Sequence, residues 1–157
     1  MKFKTSLLGG CLLLGAVALA PMHVMAHGDV TPQAVDVSSL PPLGEERRAE
    51  NPYRGLAEAA KVGASAYTQN CARCHGLEAV SGGMSPDLRE LDAECTGQAD
   101  AAKQAVCFKE VDDYFMSITL KGVVRNDKVY MPAFKGVFSQ EAVWAVKAYL
   151  ETRRVTE

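Results

Sequence analysis

The sequence predicts an all-α domain, and three observations carry that prediction. Small and apolar residues recur at helical spacing from Leu56 to Cys74, an amphipathic segment closes the chain at SQEAVWAVKAYLETRR, and no alternating segment is long enough for a convincing strand. The chain contains no internal repeat.

The chain opens on residues 1–26, where Lys2 and Lys4 precede an apolar run from Leu7 to Ala20 and Val24-Met25-Ala26 supplies a small-residue cleavage signal. This is the pattern of a cleaved secretory signal peptide. The run falls short of the ~20 residues a spanning helix needs, so the expected product is exported to the periplasm with no stable membrane anchor. The LGGC ending at Cys11 is a poor lipidation site, because the apolar run continues past it. Removal of residues 1–26 leaves 15 Lys and Arg against 19 Asp and Glu. An acidic balance without a long block of like charge argues against nucleic acid as a partner, and the remaining length suits one core.

Residues 27–53 contain four prolines and no sustained period, which reads as an extended N-terminal arm or a disordered tail. The folded domain is expected over residues 54–157. Its first helix places Leu56, Ala60, Gly63, Tyr67, Cys71 and Cys74 on one face, so that one helix leads to two thiols. Gly63 is costly inside a helix and marks a close approach by another element. VDDYFMSITLKG reads as a further helix, with Tyr114, Phe115 and Ile118 as core and Gly122 as its end signal. AVSGGMSPDL and VYMPAFKG read as loops.

The last helix has Ser139 as N-cap and an apolar stripe of Ala142, Val143, Ala145, Val146, Tyr149 and Leu150, with Arg153 and Arg154 at its negative end. It is expected to cross the first helix near Gly63 and Tyr67. Trp144 falls off the stripe, so either the arm folds over it or it is a partly exposed surface residue.

The chemistry concentrates in NCARCHG, residues 70–76, with two cysteines three apart and a histidine directly after the second. A zinc site needs two more ligands at workable spacing, and Cys95 and Cys107 lack a paired motif. In an exported protein those two cysteines instead form a disulfide, closing a short loop for about 3 kcal/mol on the chain-entropy model. A thioredoxin-like pair belongs after a strand, whereas this pair ends a helix. Covalent haem c meets every constraint: Cys71 and Cys74 form thioethers, and His75 reaches the iron. A single such motif predicts a single haem.

For the sixth iron ligand Met131 is favoured, since Pro132 holds it in extended backbone within a loop. A gap-filling core role for Met131, ligation by His27 and an open position are the alternatives. Met84 is only nine residues beyond His75, and Met116 lies inside a helical pattern where a core role is the better reading.

NCARCHG, SPDL, YMPAF and SQEAVWAVKAYL together, in that order, resemble the class I, mitochondrial-type cytochromes c of bacteria. The resemblance implies helices wrapped round one haem with the terminal helices crossed, His75 and Met131 as axial ligands, and the Pro86 carbonyl accepting from the second ring nitrogen of His75. From AHGDVTPQAVDVSSLPPLGEE through ENPYRG to the last helix, the chain is similar to the periplasmic cytochromes c that accept electrons from PQQ-dependent alcohol dehydrogenases, the ethanol dehydrogenase type above all.

With both axial positions filled, such a haem exchanges electrons and does not bind oxygen, so the expected protein is a monomeric one-electron carrier and not an enzyme. Its implied donor is the alcohol dehydrogenase, and its acceptor a terminal oxidase or another cytochrome. A different donor, or a haem enzyme or sensor with an open sixth position, is the competing reading. Lys121, Arg125, Lys128 and Lys135 flank Met131 in sequence and form either a docking rim or an ordinary solvated surface.

Overall fold

Helix α1 (Ala57–Asn70) and helix α5 (Gln140–Glu151), from opposite ends of the domain, cross where the sequence places its mid-helix glycine. In the computed structural model, which describes residues 31–155, an added Cβ on Gly63 would lie 1.9 Å from the Ala145 carbonyl oxygen. Only a hydrogen at that position lets the two backbones meet. One turn further on, the rings of Tyr67 and Tyr149 pack with centroids 5.3 Å apart. The crossing therefore lies at the residues expected. The signal segment with Cys11, and His27, lie outside the described residues.

Between these helices the chain forms α2 (Ala72–His75), a 3-10 turn at Leu77–Ala79, a second at Leu88–Glu90, α3 (Ala93–Thr96) and α4 (Ala101–Lys121). A two-stranded antiparallel hairpin follows, β1 (Val123–Arg125) with β2 (Lys128–Met131). The fold is mostly helical, as expected, but the hairpin corrects the reading of VYMPAFKG as a loop. Asn126 and Asp127 sit at φ +49° and +60°, the left-handed pair that a type I′ hairpin turn requires. Strands of three and four residues are too short to announce themselves by alternation.

Three further expectations need correction. The helix leading to the thiols is interrupted at Cys71, whose φ and ψ of −117° and −36° separate α1 from α2. Its buried face is Ala59, Gly63, Ala66, Tyr67 and Asn70, with Leu56 exposed at the N-cap. Helix α4 begins at Ala101, capped by Asp100, which accepts from the backbone N–H groups of Ala102 and Lys103. Tyr114 on that helix is exposed, whereas Met116 is buried beside Phe115.

Helix α5 is buried on nearly every side, Trp144 and Lys147 included, because residues 31–55 pack across the face its stripe leaves open. Leu43 N–H donates to Glu141, Arg48 N–H to the Gln140 side chain, and Gln140 Nε2 to the carbonyls of Gly44 and Glu46. At the far end Arg54 pairs with Glu151. Residues 140, 144, 147 and 151 share one helical face, so these contacts bracket Trp144 and Lys147.

Lys147 has no exposed side-chain surface, and its Nζ lies 2.8 Å from Asp92, 2.9 Å from Glu151 and 3.5 Å from Asp112. Arg154 completes Asp92 through two hydrogen bonds of 2.7 Å, and Arg54 reaches Asp112 at 2.6 Å. Three cations thus meet three carboxylates. Phe108 lies beneath both guanidiniums, 4.8 Å from Arg54 and 5.4 Å from Arg154. One residue away, Cys107 is joined to Cys95 in the expected disulfide, which ties α3 to α4.

Burial alone would raise the Asp92 carboxyl, but the hydrogen bond from Arg154 and the charge and hydrogen bond of Lys147 hold it down at about 2. A carboxyl depressed by folding stabilises fully above its unfolded value of about 3.9, and that contribution is lost as pH falls toward the folded value. Chemical denaturation at stepped pH should show stability falling between about pH 4 and pH 2. Asp92→Asn should be less stable at neutral pH and should lose part of that acid dependence.

Candidate functional site

Cys71, Cys74 and His75 occupy a single turn, closed by hydrogen bonds from the N–H groups of Cys74 and His75 to the Cys71 carbonyl. Both thiols are free and half-buried. Burial of its sulfur, reinforced by the neighbouring Cys74, pushes the Cys71 thiol up to about 12. That is opposite to the activated thiolate of a disulfide-exchange pair. Among the described residues no cluster of three or more His, Cys, Asp or Glu could hold a metal ion, so the zinc alternative gains no ligands.

The His75 ring is oriented from the loop ahead of it. Its Nδ1 lies 3.0 Å from the Pro86 carbonyl oxygen, a contact that makes Nδ1 the protonated nitrogen and leaves Nε2 as the donor to a metal. The loop bearing Pro86 is closed by its own polar groups. Ser81 N–H donates to Asp87, Ser81 Oγ donates to the Ser85 carbonyl, and Arg89 grips Asp87 through Nε at 3.0 Å and a terminal nitrogen at 2.8 Å. The Arg89 hydrogen bond holds the Asp87 carboxyl far below the usual carboxylate range.

On the other side of that turn, the Tyr67 hydroxyl donates to the Gly76 carbonyl at 2.8 Å. Sequence reading took Tyr67 only as a core residue of α1. Nothing in its helical spacing announces a hydrogen bond to a residue nine positions later.

Met131 ends β2, half-buried against the core. Its segment is fastened to the end of α4, where Phe134 and Lys135 donate N–H bonds of 3.1 Å to the Thr119 and Leu120 carbonyls. These are carbonyls at the end of the helix, where intrahelical donors run out. Gly122, at φ +68°, passes so close to this segment that a Cβ would lie 2.5 Å from the Met131 carbonyl oxygen and 2.7 Å from Ala133 N. The glycine read as an end signal thus also admits the Met131–Ala133 backbone. His75 and Met131 belong to separate elements, and His27 lies outside the described residues.

A bulge at Tyr130 breaks the alternation along β2: Met131 pairs with Val123 and Val129 with the next residue, Val124, so Val129 and Val124 share the face opposite to that of Met131. These valines are 67% and 63% exposed, and Leu77 and Val80 beyond His75 are also exposed. Two free thiols and an imidazole with a free Nε2 on one turn, followed in sequence by the exposed apolar side chains of Leu77 and Val80, fit a haem c, which needs those donors and an apolar cover.

Residues 58–150 match the family model described as cytochrome c oxidase, cbb3-type, subunit III. Cytochrome c550 of Pseudomonas aeruginosa is 46% identical over 98% of this chain and 99% of its own length. Two quinohemoprotein alcohol dehydrogenases of Pseudomonas putida also match: ADH IIB is 28% identical over 72% of this chain, and ADH-IIG is 33% identical over 59%. The matched segments make up 14% and 10% of those longer proteins. No solved structure matches the chain.

Gly122→Ala should force Met131–Ala133 aside and strain a left-handed backbone position. A loss of about 1–3 kcal/mol is expected, read as a lower urea midpoint with an unchanged slope.

Proposed function

The chain belongs to the cytochrome c family, and on that premise we propose that it is a periplasmic one-electron carrier serving a PQQ-dependent alcohol dehydrogenase. Electron transfer and covalent haem c come with the family, which makes the protein a carrier and not an enzyme. The observation that carries the donor is the likeness to a segment of two quinohemoprotein alcohol dehydrogenases. A domain of this kind within a dehydrogenase can receive electrons on the same chain, and a separate relative takes them between molecules. A terminal oxidase or another cytochrome is the acceptor in this reading.

Bound haem c supplies the iron couple that takes up and releases one electron. In the proposed assignment Cys71 and Cys74 would hold it through thioethers, while His75 and Met131 would ligate its iron. Pro86 fixes the tautomer of His75 and raises its basicity. A thioether ligand favours the reduced iron more than a second imidazole does. The hairpin and the α4 carbonyls restrain Met131 independently of oxidation state, which limits rearrangement during transfer.

Export rests on the signal-like residues 1–26 and gains support from the oxidised Cys95–Cys107 pair. No described helix is long and apolar enough to cross a membrane. Lys121, Arg125, Lys128 and Lys135 are exposed and form no ion pair among the described residues, which supports a docking role. On the hairpin Lys128 pairs with Arg125 beside the turn, and the Arg125 guanidinium lies 5.8 Å from the Tyr130 ring. Exposed cations that flank Met131 in sequence can steer an acidic partner through a brief encounter.

The oxidised protein, given catalytic quinoprotein ethanol dehydrogenase, should be reduced rapidly only after ethanol is added. Slow reduction of a sample that ascorbate reduces promptly would remove the donor. Replacing all four rim cations by Gln should lower the rate and flatten its salt dependence, and an unchanged salt profile would remove the rim.

The sixth ligand has a separate test. Ferrous wild-type protein should show no spectral change under carbon monoxide, whereas Met131→Ala should bind it. Binding by the wild type would point to an open position and a sensor or enzyme.

A further inference from the structure

The residues after His75 form the most contorted backbone among those described. Gly76, Glu78 and Ala79 have φ of +82°, +56° and +65°, placing three of four consecutive residues in the left-handed half of conformational space. Glycine accepts this freely, but Glu78 and Ala79 do so at a cost that persists only where surroundings enforce it. A Cβ on Gly76 would lie 1.8 Å from the Val80 carbonyl oxygen, so the turn closes tightly on itself.

Two side chains from outside hold the turn. Arg153, beyond the end of α5, pairs with Glu78 at 2.7 Å. Tyr67, on α1, donates its hydroxyl to the Gly76 carbonyl at 2.8 Å. The Tyr67 ring is fully buried at the α1–α5 crossing against Tyr149, so the point from which it reaches is rigid. The Gly76 carbonyl lies immediately after His75, and the His75 ring is tied on its other side to Pro86. The imidazole is therefore set by a ring contact to a loop and by a backbone contact to the helix crossing.

We propose that Tyr67 is a positioning residue for His75, its hydroxyl fixing the Gly76 carbonyl and with it the backbone that carries the imidazole. The inference rests on the reading of His75 as an iron ligand. It assigns the hydroxyl a role separate from that of the ring. The ring packs the crossing, as a phenylalanine would, and the oxygen sets the ligand.

Tyr67→Phe in the holoprotein separates the two, with Tyr149→Phe as the control for packing. The readouts are the hyperfine-shifted haem-methyl resonances of the ferric form, whose spread reports axial-ligand orientation, and the midpoint potential. Tyr67→Phe should change the methyl spread and alter the reduced-to-oxidised ratio at fixed ambient potential by at most about fivefold, the weight of one neutral hydrogen bond. Tyr149→Phe should leave both unchanged. Unchanged resonances and potential in Tyr67→Phe, or equal changes in both variants, would overturn the inference while leaving His75 as ligand. A wild-type ferric spectrum without His–Met character would instead overturn the ligand reading on which it stands.

Discussion

The contact between Gly63 and Ala145 is the constraint on which the rest of the structure depends. At this point two helix backbones touch without intervening side chains, and everything attached to them inherits their relative placement. Helix α1 ends at the turn bearing Cys71, Cys74 and His75, so the position of that turn is fixed by a crossing two helical turns before it. Helix α5 carries Ala145 and Tyr149 on the same side and Lys147 on another, and thereby links the site to the buried charges. A larger residue at position 63 would be felt at the imidazole and at the ion network alike.

The buried charges bind a second layer to this frame. Lys147 alone would be an intolerable buried cation, and Asp92 or Asp112 alone an intolerable buried anion. Together with Arg54, Arg154 and Glu151 they neutralise one another and join residues before α1, before α3, within α4 and at the end of α5. Such a cluster gives little net stability over an apolar core of the same volume, but removal of any member leaves its partner unpaired. The Cys95–Cys107 bond holds α3 and α4 in register beside it. The outer face of α5 is therefore locked by charge and covalent linkage, whereas its inner face is locked by close packing.

Much of the frame was legible because it depends on local rules. Gly63 within a helical pattern announces a close approach, Ser139 announces a helix start, and its hydroxyl accepts from Ala142 N–H in the structure. The Cys71–Cys74–His75 spacing announces one chemistry among very few. What was not legible depends on partners distant in sequence. The Tyr67 hydroxyl, the approach of Gly122 to Met131 and the companions of Lys147 are set by tertiary placement, and periodicity carries no information about them. Two clues were present: Lys147 is a lone charge inside AVWAVKAYL, and Asn126-Asp127 is a turn pair between short apolar runs. Tyr114 was misread for the opposite reason, since an aromatic residue at helical spacing was taken as core although no element among the described residues covers it on α4.

The hydrogen bonds that seat the arm on α5 join residues as far as 98 and 100 positions apart, Leu43 to Glu141 and Asn51 to Glu151. Pairing across such separations is entropically late, because long loops must close before any of these contacts forms. Helix α5 is synthesised after α1, so α1 and the turn after it exist for a time with their packing partner still missing. During that interval the helix that leads to Cys71 and Cys74 lacks the crossing that later fixes it. The order of elements along the chain thus opens a period in which the two thiols precede the crossing that sets their turn, and the docking of α5 ends it.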